Sequence, residues 1–109
     1  MIMTETVKDS PERRKALVAY VEGNKLDLFD EEVIHIATCL DHLLDWYETG
    51  RPLGSFLINV LKNDFKEASF TADSTNIKAF RVYAFFLHWE LPGDYRLKIK
   101  EDLLKWSKG

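Results

Sequence analysis

The chain has 109 residues, of which 46% are hydrophobic, 13% aromatic and 30% charged, with one cysteine and a formal net charge of -3. That is one ordinary domain's worth of sequence, apolar enough to bury a core without disulfide or metal staples and unlike the composition of disordered chains. The net-acidic balance excludes a protein whose whole surface tracks a phosphate backbone, because such affinity is assembled from many Lys and Arg contacts.

The charge is uneven. Residues 1–50 hold five basic and eleven acidic side chains, whereas residues 51–109 hold ten and seven. Opposed halves permit head-to-tail association or internal neutralisation. The lone Cys39 excludes an internal disulfide and fits a reducing compartment. The start, Met1-Ile2-Met3-Thr4-Glu5, has no basic region or apolar core of signal-peptide length, and the longest apolar run, Val82 to Leu87, is too short to span a bilayer. A cytoplasmic protein with no membrane partner is expected.

Residues 1–10 are read as a flexible N-terminus and residues 11–109 as a single all-α domain, a compact bundle of five to six helices. Ser10-Pro11-Glu12 signals a helix start, with Ser10 as the cap and Pro11 at the first helical position, and the helix is predicted to run to about Glu22. Gly23-Asn24 supplies its left-handed stop. Asp30 is expected to cap the second helix, with Phe29 stapled to Ile34. Val33, Ile36, Ala37, Leu40, Leu43, Leu44 and Tyr47 follow the three-four spacing of one buried face. After Thr49-Gly50, the passage Arg51-Pro52-Leu53-Gly54-Ser55 leads into a third helix over roughly Ser55 to Lys62. Asp64 and Glu67 have capping-box spacing and open a helix of about two turns. Ala72-Asp73-Ser74 opens a long helix to about Glu90, whose stripe is Ile77, Phe80, Ala84, Leu87 and Leu91, widened by Val82, Phe85, Phe86 and Trp89. A last helix spans about Tyr95 to Ser107. No strand pattern competes.

His35, Cys39 and His42 fall at i, i+4 and i+7 on the second helix and share one face, about 140° from the centre of the apolar stripe at an α-helix's 100° per residue. They are weak metal candidates, since three ligands from one straight helix rarely converge on a tetrahedral ion and paired Cys-x-x-Cys elements are absent. The same face continues to Trp46, and a His-Cys-His-Trp surface suits an interface. Alternatively, the fifth helix or the N-terminal segment covers that face within the monomer. Cys39 lacks the exposed turn and oxyanion donors that a nucleophile needs.

Asp41, Asp45, Asp64, Glu67 and Asp73 are accounted for by capping or solvation rather than acid–base chemistry. Gly54-Ser55 before a helix invites comparison with a phosphate loop, but one glycine and no following lysine fit a turn and cap better. A helix-turn-helix over residues 55–90 is disfavoured, because its second helix carries only Lys78 and Arg81 among aromatics.

The strings Tyr47-Glu48-Thr49-Gly50-Arg51-Pro52-Leu53-Gly54-Ser55-Phe56-Leu57, Asn63-Asp64-Phe65-Lys66-Glu67-Ala68, and Ala72-Asp73 with Asn76 resemble a group of small phage and prophage proteins of unassigned function. The resemblance covers under half the chain and departs after Pro92, where Gly93-Asp94-Tyr95 replaces a Gly-Ser-containing segment. It implies an accessory protein inside a bacterial host, acting by binding rather than turnover. The expectation is therefore a non-enzymatic protein without cofactors that binds a protein partner or itself. Its candidate contacts are His35, Cys39, His42, Trp46, Arg51 and Ser55. The alternative is a nucleic-acid or nucleotide binder using Arg51, the Gly54-Ser55 turn and the basic last helix.

Overall fold

Apolar side chains repeating at helical spacing, punctuated by caps and turns, build seven helices and no strand among the described residues, 11–108 of the computed structural model. Residues 1–10, with the expected flexible N-terminus and Ser10 cap, lie outside the described residues. In chain order the helices are α1 (Pro11–Gly23), α2 (Asp30–Thr49), α3 (Ser55–Leu61), α4 (Phe65–Thr71), α5 (Ser74–Lys78), α6 (Phe80–Trp89) and α7 (Tyr95–Lys108). None is long and apolar enough to cross a membrane.

The 20-residue α2 is the axis of the fold. Ile36, Leu40, Leu43 and Leu44 are fully buried on it, meeting Leu17 and Val21 of α1, Leu61 of α3, Val82 and Phe86 of α6, and Ile99 of α7. Each such side chain contributes about 1.5–3 kcal/mol relative to exposure. α1 returns antiparallel along α2, which brings Arg13 to Asp41 and Glu48.

Local details refine the expected boundaries. α1 ends one residue later than predicted, and the left-handed residue is Lys25, φ 54°, because the Asn24 side chain donates to the Tyr20 carbonyl and carries the turn onward. Asp30 is the first helical residue and not the cap. The helix instead closes through Glu32 Oε1, which accepts the Phe29 N–H at 3.0 Å. Phe29 and Ile34, expected to staple this end, are both largely exposed. At the other end Gly50 takes φ 76° and donates its N–H to the Trp46 carbonyl, a conformation glycine adopts without steric cost. The predicted caps at Asp64 and Asp73 form, accepting the N–H groups of Glu67 and Asn76.

The long fifth helix is broken, and the break changes which face is buried. Ala79, at φ -104° and ψ 10°, separates α5 from α6, and its N–H reaches back only to Asn76. Asn76 is held in the interior by the Tyr83 hydroxyl, which donates to its Oδ1 at 2.6 Å. The buried set is consequently Asn76, Ala79, Val82, Tyr83, Phe86 and Leu87, while Ile77 of the expected stripe is 53% exposed and Ala84 lies on the surface.

Candidate functional site

The face carrying His35, Cys39, His42 and Trp46 is not one outward surface. Its four side chains meet four different neighbourhoods, because α2 is flanked by different elements along its length. His35 is exposed, with Nε2 3.0 Å from Asp73 Oδ2 at the start of α5. Cys39 is half-buried beside Tyr83 and Asn76, and desolvation is the main cause that raises its thiol above the ordinary range, opposed by hydrogen bonds from those two side chains. The Tyr83 hydroxyl is raised further still, by burial first and by Cys39 next. A thiol kept protonated in this way is the reverse of an activated nucleophile.

His42 is half-buried in a pocket of about 400 Å³ between α1 and α2, alongside Arg14, Val18, Thr38, Asp41 and Arg51. Trp46 is 0% exposed, and its Nε1–H donates to Asp102 Oδ2 of α7 at 2.8 Å. Trp46, expected on an outward His-Cys-His-Trp contact face, therefore does not stand on an exposed surface. The costly indole is covered within the monomer and its polar edge is satisfied by a buried carboxylate, as buried Trp requires. α7 supplies the acceptor for the indole N–H. His35, Cys39 and His42 thus go to separate surroundings, and no group of three metal-binding side chains forms among the described residues.

Asp41 and Asp45 are not solvated. Arg13, 0% exposed, lies 2.7 Å from Asp41 Oδ1 through Nε and 2.6 Å from Glu48 Oε1 through Nη1, and it donates from Nη2 to the Asp41 carbonyl. Arg51 reaches Asp45 Oδ2 at 3.0 Å. The sequence holds a sign of this network: Arg13 sits four residues before Leu17 on the buried stripe of α1, and Asp41, Asp45 and Glu48 repeat at i, i+4 and i+7 on α2. Opposed charges at core-facing positions of two antiparallel helices can only be tolerated as partners. Ser55 is exposed at the first position of α3, and Gly54 serves as the N-cap.

Another site was missed. A groove of about 360 Å³ opens between α3, α4 and α6. Phe80, Ala84 and Leu87 of α6 form one wall, and Phe65 and Ala68 of α4 with Val60 of α3 form the other. Asn59, Asn63, Asp64 and Arg81 mark its rim. Phe65 is 72% exposed and stands edge-on to Phe80 at 5.3 Å, and Phe80 stacks on Phe56 at 6.1 Å. α6 therefore packs Val82, Tyr83, Phe86 and Leu87 into the core, while half-buried Phe80 and exposed Ala84 join the edges of Tyr83 and Leu87 along the groove. The signal present in the sequence is the width of its stripe, in which Val82 and Phe86 stand beside the Phe80, Ala84 and Leu87 line. Comparison of the chain with protein-family models, curated proteins and solved structures finds no match to any of them.

Proposed function

We propose that this protein acts by binding a protein partner stoichiometrically, through the groove between α3, α4 and α6, without turnover or a cofactor. The observation that carries this reading is a groove of about 360 Å³ between α3, α4 and α6 with exposed Ala84 in its lining and a 72% exposed Phe65 at its lip. Aromatic side chains standing at the lip of an apolar cleft are what interface anchors look like in the free state, since burying them on association supplies most of the binding energy. The resemblance of residues 47–91 to phage and prophage proteins adds an accessory role in a bacterial cytoplasm to the proposal.

The nucleic-acid alternative has less support. Arg51 spends a donor on Asp45, and Lys78 is held 3.2 Å from Glu32. The acids Glu101 and Asp102 interrupt the basic residues of α7.

The test is capture from bacterial lysate by the wild-type chain, Phe65→Ser and, as a surface control, Leu104→Ser. A protein retained by the wild type and the control but lost with Phe65→Ser is the expected partner. Light scattering at two concentrations identifies self-association if the mass rises and Phe65→Ser prevents it. Identical capture and identical mass for all three chains would refute the groove.

A further inference from the structure

We infer that the pocket between α1 and α2 binds a small organic anion, holding an oxyanion group at its arginine end and a short apolar chain at the other. No residue lines both this pocket and the groove between α3, α4 and α6.

The antiparallel pairing of α1 and α2 gives the pocket two unlike ends. Arg13 meets Asp41, so Arg14 stands at the Asp41–His42 end of the lining. Val18 lies one turn further along α1, and on α2 the lining continues back from His42 through Ala37 to Ile34. Those three apolar side chains therefore form the end away from the charges. From His42 back to Ile34 is a rise of about 12 Å at 1.5 Å per residue, room for a head group and a chain of about six carbons. The cavity, about 400 Å³, is of the size that holds small ligands.

The charged end is rich in donors and short of acceptors. Arg14 is exposed and, among the described residues, holds no ion pair or hydrogen bond. Arg51 is positioned by Nη1, 3.0 Å from Oδ2 of Asp45, whose side chain is only 5% exposed. The remaining N–H groups of its planar fork are left for a ligand. Half-buried His42 adds a ring nitrogen between them. The acid in the lining is Asp41, and Arg13 takes both its Oδ1 and its carbonyl oxygen. Glu48, the other acid of that network, is held by Arg13 and does not line the pocket. Two guanidiniums around one cavity repel each other, and a carboxylate or phosphate between them relieves the repulsion while accepting from both.

The probes are hexanoate, hexyl phosphate, hexylamine, hexanol and inorganic phosphate, titrated into the intact isotope-labelled chain while its amide resonances are followed. Saturable shifts at Ala37, Thr38 and His42, and none at Val60 or Ala84 of the groove, are expected with hexanoate, hexyl phosphate or both, and the tighter of the two identifies the head group. Hexylamine, hexanol and inorganic phosphate should bind at least about tenfold more weakly. Arg14→Gln, at an exposed and unpaired position, should keep the parent spectrum outside the pocket and weaken the anions about tenfold at low salt. Arg51→Lys keeps a cation beside Asp45 but removes the fork, and should weaken them as well. No saturable shift with either anion, or undiminished affinity in Arg14→Gln, would overturn the site. Hexanol binding as tightly as the anions would overturn the oxyanion end, and inorganic phosphate matching hexyl phosphate would overturn the apolar end.

Discussion

Arg13 is the residue on which the α1–α2 pairing can be tested most sharply. It is 0% exposed, with Asp41 and Glu48 gathered on its guanidinium, and the Asp41 side chain is only 12% exposed. Arg13→Met keeps most of the side-chain volume but leaves the Asp41 carboxylate buried without its counter-ion, a loss of about 3–5 kcal/mol. Glu48, 22% exposed at its side chain, can turn toward water, so the penalty falls mainly on Asp41. Removing both charges in Arg13→Met/Asp41→Leu removes the orphan as well, and an apolar pair of similar volume is expected to come out near neutral relative to the parent. The assay is urea unfolding of the parent, the two single variants and the double, followed by circular dichroism, with the coupling read as the departure from additivity. A single Arg13→Met cost below about 1 kcal/mol, or a double variant as unstable as the sum of the singles, would refute the account of this network as a buried charge set held by mutual compensation.

Trp46→Phe is expected to cost about 1–3 kcal/mol, because Asp102 keeps only Lys105, 3.9 Å away, in place of its buried indole donor. Unchanged urea stability together with lost partner capture would instead return Trp46 to an interface. Alkaline pH should destabilise the fold. Tyr83 is raised by burial, and Tyr20, by burial and then by Glu90, is pushed up to about 12, so the unfolded chain gives up these protons more readily than the folded one. The stability they contribute is present below about pH 10 and lost as pH rises toward 12. Tyr83→Phe should flatten that slope, and an identical slope in the variant would contradict the assignment. Amide hydrogen exchange should be faster in α4 than in the middle of α2, since Ala68 is the only buried side chain of α4 and its close packing is with α3. Equal protection in the two helices would argue that α4 is locked in place.

Much of the architecture was legible along the chain because its causes are local. A cap such as Asp64 or Asp73 acts on N–H groups three residues away, Gly50 ends α2 through its own φ, and the Ile36-Leu40-Leu43-Leu44 face follows from the helical repeat alone. These fix helix type and approximate ends without any partner. The break at Ala79 was not legible, because it depends on Asn76 finding the Tyr83 hydroxyl in a buried place, and neither composition nor spacing says where a mid-helix Asn will be satisfied.

The site divides along the same line. The sequence alone determined that α2 has a second face bearing His35, Cys39, His42 and Trp46, and that the stripe of the helix before Pro92 is widened by Val82, Phe85, Phe86 and Trp89. Only the tertiary structure decided that Trp46 is buried with its indole on Asp102 of α7, that Arg13 gathers Asp41 and Glu48, and that Phe80, Ala84 and Leu87 line a groove. Helical periodicity places residues on faces, whereas burial depends on which distant element arrives to cover a face, and that is set by packing all seven helices around one core.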